Sequence, residues 1–311
     1  MQSRLNIAYI TDTYTWDVYG VKRSLYETLC KNVKADLFLL EDFGLAHKFG
    51  SATKLPNGLL YNIISTSGYS HVFLASSGLC FEHELMDKLS ASGITVVGFG
   101  FSDPRHVEIT KKHWHHFDYY FTISSAICKE ARACGIKSDV LLPSIHPSFH
   151  GRFLADHKKA EYGVVFLGNV HTHPDAEMRR AEIAKIENAG IEVLTIGTGG
   201  KIGHLEGKKL LAQLSMCKIG LSLLNNVSTL PHRIFEYAAV GLCVVSTITP
   251  TIADCFAPYH EIIPYNVSMI QELLDNPKKC ASVANNGRIR CFKDHTMQKR
   301  VGLLLERLGD V

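Results

Sequence analysis

The feature that most constrains this chain is an alternation of short, nearly continuous apolar runs with segments of helical periodicity. The first half reads as strand 5–11 (LNIAYIT), helix 22–33, strand 35–41, helix 59–68, strand 70–76, helix 81–93, strand 94–100, strand 118–124, helix 125–135 and strand 138–144. A strand that is apolar on both sides has to be covered on both faces, which the helices of a parallel α/β sheet do. Residues 145–162 interrupt the pattern with Pro147, Gly151 and a charged run, and read as a linker. The alternation then restarts: strand 163–169, helix 175–190, strand 191–197, helix 207–217, strand 218–224, helix 231–240 and strand 242–246, with closing helices over 267–310. The expected fold is two doubly wound, Rossmann-like α/β domains, 1–150 and 151–311, facing each other across a cleft. No repeat relates the two halves at the level of sequence. In such sheets ligands bind beyond the C-terminal strand ends, where the strand order reverses.

Composition fits that reading. A chain of 311 residues with 46% apolar and 20% charged residues suits two soluble domains of roughly 150 residues each. The net charge of +3 is small, and the charges cancel within the first 150 residues. A general nucleic-acid binder would carry a basic footprint that is missing here. No stretch has the layout of a secretion signal or the length of a membrane span. The nine cysteines are scattered without a CxxC pair, as expected of reduced thiols in the cytoplasm. Histidine is frequent, with 16 copies, but HWHH (113–116) and HTH (171–173) lack a matching second ligand pair, so loop histidines are expected rather than a metal site.

Chemistry concentrates in LLNNVSTLPHRIFEYAAVG (223–241). A strand ends at Leu224, Asn225 opens a polar loop, and Ser228 or Thr229 can cap the helix that Pro231 begins. The positive end of that helix, with His232 and Arg233 on it, favours an anion, and arginine forks onto phosphate oxygens. Glu236, one turn on, has two acceptors matched to neighbouring ribose hydroxyls. The competing expectation is an Arg233–Glu236 ion pair of modest stabilising value. Gly168 and Asn169 end strand 163–169, where a residue without Cβ lets a phosphate come close. TIGTGGKIG (195–203) is glycine-rich but does not match the dinucleotide fingerprint; it reads as a loop near the nucleotide base or as a plain turn.

This segment resembles the donor-site helix of GT-B glycosyltransferases, and most of all the CgeB-like (spore maturation protein) family, through Arg233, Glu236, Ala238, Ala239 and Gly241. CKIGLSLLN (217–225), YGVVFLGN (162–169), FSDPRHVE (101–108), FDYYFTIS (117–124), VLLPSIHPSFH (140–150) and the closing helices 272–308 extend the resemblance over about two thirds of the chain. It implies a hexosyl- or pentosyltransferase that moves a sugar from a nucleoside-diphosphate sugar to an acceptor. The donor would bind in the second domain at Gly168, Asn169, Asn225, Ser228, Thr229, His232, Arg233 and Glu236. The acceptor would meet Asp12, Tyr14, Trp16 and Gly20 in the first, with Asp103 as general base if the enzyme inverts. Acceptor classes left open are a glycan, a protein, a small molecule or a modified DNA base. No cofactor is implied beyond the co-substrate, and without a DxD triplet no obligatory metal. Many retaining members carry a second glutamate eight positions before the ribose-binding one; here that position is Ser228, which leaves the sugar and the stereochemistry open. A nucleotide-sugar epimerase and a non-catalytic binding protein are the alternatives.

Overall fold

The computed structural model describes residues 5–12, 20–44, 53–54, 59–76, 79–80, 83–104, 107–224 and 230–309. The chain forms two compact units, one of residues 1–142 and 297–311, the other of residues 143–296.

The first unit contains β1 (Asn6–Thr11), α1 (Val21–Leu29), β2 (Lys34–Leu39), β3 (Thr53–Lys54), α2 (Leu59–Thr66), β4 (His71–Leu74), β5 (Leu79–Cys80), α3 (His83–Ala91), β6 (Thr95–Gly100), α4 (Val107–Lys111), β7 (Tyr119–Thr122), α5 (Ser125–Ala133) and β8 (Ser138–Val140). Six of these strands form one sheet in the order β2-β1-β4-β6-β7-β8, and every pairing in it is parallel. β3 and β5 form a separate parallel pair. The alternation inside β1 shows why the strands read as solid apolar runs. Ala8 and Ile10 face Leu60, Ile64, Met86 and Leu89 of α2 and α3. Ile7 and Tyr9 face the other way, onto Leu25 and Leu29 of α1 and onto Val301, Leu304 and Leu308 near the chain's end.

The second unit contains α6 (Pro147–His150), β9 (Tyr162–Leu167), α7 (Ala176–Asn188), β10 (Val193–Ile196), α8 (Gly207–Ser215), β11 (Cys217–Ser222), α9 (Arg233–Val240), β12 (Cys243–Ser246), α10 (Pro250–Cys255), β13 (Ile263–Pro264), α11 (Val267–Asp275) and α12 (Pro277–Asp294). Its sheet has five strands in the order β10-β9-β11-β12-β13, again all parallel. Val164, Phe166, Ile219, Leu221 and Val245 pack on residues of α7, α11 and α12.

The expected division at residue 150 differs from the observed one in two places. The final helix, α13 (Met297–Gly309), belongs to the first unit, where its buried stripe helps cover the sheet face that α1 leaves partly open. Residues 145–162 are no free linker but a strap on the second unit. Ile145 donates its N–H to the His295 carbonyl (2.9 Å) and Ala155 to the Val240 carbonyl (2.8 Å). Ile145, Phe149 and Ala155 are buried, so the Pro and Gly of this stretch shape a packed turn. No helix among the described residues is long and apolar enough to cross a membrane.

Candidate functional site

The strand order of the second unit reverses between β9 and β11, since the chain steps from β9 out to β10 and then back to the other side of β9. α9 is fastened at that point by Tyr237. Its hydroxyl accepts the Leu167 N–H at the end of β9 (2.7 Å) and donates to the Leu221 carbonyl of β11 (3.3 Å). The ring fills the space above Gly220, where a Cβ would stand 2.4 Å from Tyr237 Cγ. A side chain on β11 at this position would lift the helix off the sheet. Tyr237 was not singled out in the sequence; the small residue in mid-strand opposite an aromatic on the next helix was its signal.

One turn before Tyr237, Arg233 reaches back over the end of β9. Its guanidinium carbon lies 5.4 Å from the centre of the Phe166 ring. Its Nη1 is buried with no hydrogen-bond partner among the described residues, and would be 3.0 Å from a Cβ at Gly168. A guanidinium with an unspent donor at a strand end without a side chain is the local chemistry of an anion seat. The expected Arg233–Glu236 ion pair is not the contact that forms. Glu236, with its side chain 16% exposed, instead places Oε1 3.3 Å from His232 Nδ1. His232 Nε2 lies 3.0 Å from the Ser144 carbonyl oxygen. Burial works against the charged imidazole, but the Glu236 carboxylate and the Ser144 carbonyl outweigh it and lift the His232 pKa above its ordinary value. For Glu236 burial is likewise overcome, chiefly by His232, and the carboxyl sits below its ordinary range. Behind them, buried His150 is pushed down to about 4, first by burial and then by the charge on His232, so it stays neutral near pH 7.

Asn169 does not point into this site. Its side-chain oxygen accepts the N–H groups of His171 and Thr172, and its amide donates to Thr172 Oγ1. Its role is to shape the loop, whose backbone is also held by Arg179 Nη1 on the Asn169 carbonyl (2.9 Å). The glycine-rich stretch is a close backbone contact rather than a plain turn. A Cβ at Gly197 would stand 2.5 Å from the Gly168 carbonyl oxygen, and Val170 donates to the Thr198 carbonyl at 2.9 Å. The glycines let the loop after β10 brace the loop after β9, fixing where Gly168 sits.

Of the remaining expected residues, Asp12, Gly20 and Asp103 belong to the first unit. Asn225, Ser228 and Thr229, like Tyr14 and Trp16, lie outside the described residues. α9 begins at Arg233 rather than at the expected 231, and the position before it is His232, whose side chain makes no cap bond and goes to Ser144 and Glu236. Gly20 occupies the position before α1 with extended backbone. Asp12, just past β1, is buried in an ion pair with Lys22 Nζ (2.7 Å), and Ser76 Oγ joins the same lysine at 2.8 Å. Asp103 is 1% exposed. Its Oδ2 accepts the hydroxyls of Tyr120 and Thr122, each at 2.6 Å. Burial pushes its pKa up to about 6. A carboxylate this enclosed anchors the turn after β6 onto β7. Among the described residues no group of three or more His, Cys, Asp or Glu is arranged to hold a metal.

The family model described as glycosyl transferase-like matches residues 179–306, the stretch that holds Arg233 and Glu236. No curated protein matches the chain in sequence. Solved structures match over its whole length. A glycosyltransferase from Rickettsia africae shares 9% identity at a TM-score of 0.66, covering 99% of this chain and 98% of that one. An alpha-glucosyltransferase in complex with UDP and DNA shares 11% at 0.67, covering 98% and 99%. The Anabaena protein HepE, in complex with UDP and glucose, shares 9% at 0.62, covering 99% and 100%. The fold is that of the GT-B glycosyltransferases. The two parallel sheets of the GT-B fold are the six-stranded and five-stranded sheets described above.

Proposed function

We propose that the protein is a glycosyltransferase that takes a hexosyl or pentosyl group from a nucleoside-diphosphate sugar. The observation that carries this reading is the unspent, buried Nη1 of Arg233 against Gly168, with the Glu236 carboxylate one helical turn away. The diphosphate sits at the start of α9 on Arg233, and Glu236 takes ribose hydroxyls. As the sugar–phosphate bond breaks, negative charge grows on the leaving diphosphate, and the fixed guanidinium and helix end stabilise it without reorganising. The matched family model and the GT-B neighbours, two of them described with UDP, support the donor class.

The acceptor belongs to the first unit in this reading, near Asp12 and Gly20. Asp103 is given no role in this reading, because its carboxylate is enclosed: Oδ2 accepts from Tyr120 and Thr122, and Oδ1 is buried without a hydrogen-bond partner among the described residues. The reaction needs no divalent metal, since Arg233 supplies the counter-charge. The CgeB-like family is the finer placement we favour, on the Arg233 to Gly241 layout. A reducing cytoplasm is the setting we favour, on free thiols at eight of the nine cysteines.

The test is a thermal-shift screen of the whole chain against UDP-, GDP-, CDP- and dTDP-sugars. One base series should stabilise the protein, by about 2.7 kcal/mol at a hundredfold excess over Kd. No stabilisation by any series, with no sugar transfer or hydrolysis, would overturn the donor site.

A further inference from the structure

The ring of His232 stands between two acceptors. A backbone carbonyl can only accept, so Nε2 facing Ser144 must carry hydrogen. An ionised carboxylate can only accept, so the 3.3 Å approach of Nδ1 to Glu236 Oε1 becomes an ion pair only when Nδ1 carries hydrogen as well. A neutral imidazole has one N–H and cannot serve both. We propose that His232 is a positioning residue for the donor site: as an imidazolium it fastens Glu236 by one oxygen, tethers it to the Ser144 carbonyl just before the strap, and leaves the other oxygen to the ligand. The inference rests on the reading of Glu236 as the ribose contact and adds a pH dependence to it.

The surroundings restrict what else can titrate there. Arg233, on the same helix, stays charged. His150 faces the pair from α6 and is neutral near pH 7, and His146, before that helix, donates its backbone N–H to His150 Nδ1. α12 packs on the opposite face through Cys291, whose Sγ lies 3.7 Å from the Phe235 carbonyl, and reaches Gly241 at the far end of α9 with Arg288. Burial opposes the charge, but the carboxylate and the carbonyl outweigh it and raise the His232 pKa, so the clamp persists to higher pH than an ordinary imidazolium would and is lost as pH rises through that raised pKa.

Two measurements on the whole chain test this. The first needs no ligand: histidine ring nitrogens are followed by NMR from pH 6 to 9, with the His232 signals assigned by their loss in His232→Gln. Both nitrogens should be protonated below a titration midpoint that lies above the ordinary histidine value of about 6.5, and Glu236→Gln should move that midpoint to lower pH. A midpoint at or below the ordinary value overturns the clamp. The second is UDP affinity between pH 7 and 9. Above the His232 pKa the affinity of wild type should fall by up to about tenfold per pH unit. His232→Gln should be weaker at pH 7 and follow a flat profile, so the ratio of the two cancels the ligand's own titration. His232→Asn, which keeps a donor near the Nδ1 position, should recover part of the loss at pH 7, which a purely structural role would not give. Equal profiles for wild type and His232→Gln overturn the proposal. Failure of wild type to bind UDP or the other nucleoside diphosphates counts against the donor reading itself, and the NMR result then decides the clamp alone.

Discussion

Arg233→Ala should lower kcat/KM for sugar transfer by about 10²–10³, with most of the loss in kcat. The size follows from what the guanidinium does in the proposed reaction. A charge-assisted hydrogen bond contributes about 1.5–3 kcal/mol, and one aimed at a leaving group's growing charge contributes most in the transition state. The fold should suffer little. The guanidinium packs on Phe166 and its Nη1 has no hydrogen-bond partner among the described residues, so alanine breaks no hydrogen bond at that atom. Arg233→Lys should recover only part of the rate, because an ammonium cannot fork onto two phosphate oxygens. Steady-state kinetics with the donor found in the nucleotide screen, beside melting curves, checks this. A variant with wild-type kcat would remove Arg233 from the chemistry.

Lys22→Met should cost about 3–5 kcal/mol of stability in the first unit. Lys22 is 3% exposed and Asp12 4%. Burial pulls the lysine pKa down, while Asp12 holds the proton on. Removing the ammonium leaves the Asp12 carboxylate buried without its counter-ion, which is the expensive way to break such a pair. The double change Lys22→Met with Asp12→Asn should recover much of the loss, because neither residue is then charged. Denaturant unfolding of the three proteins decides it. A loss below about 1 kcal/mol for Lys22→Met would mean that the pair is screened by solvent.

Sheet composition and the site were legible to different depths. The alternation of apolar runs and helices gave the two parallel sheets, because strands buried on both faces leave a dense signal. The path of the chain between the units was less visible. The strap at 145–162 looks polar in sequence, and only tertiary contacts show Ile145, Phe149 and Ala155 buried. The stripe Val301, Leu304 and Leu308 predicts that α13 covers something, not which sheet. At the site, the Arg233–Glu236 spacing marked the helix, since charges on an otherwise buried helix demand partners. The arginine's neighbours, Phe166 and Gly168, are remote in sequence, and the glutamate's partner His232, one turn earlier, is itself held by remote Ser144. The enclosure of Asp103 was hidden for the same reason, since the partners of its Oδ2 come from the next strand of the sheet. A carboxylate after a strand looks exposed until Tyr120 and Thr122 fold over it.

The central assignment, Glu236 on the ribose, is tested most directly by titrating UDP and its 2′- and 3′-deoxy analogues into wild type and Glu236→Ala. Wild type should lose roughly tenfold to a hundredfold in affinity for at least one deoxy analogue, the scale of one hydrogen bond to a charged group. Glu236→Ala should bind all three about equally and more weakly than wild type binds UDP. If Glu236→Ala still prefers the full ribose as strongly as wild type does, the hydroxyls are held elsewhere and the site is wrongly assigned.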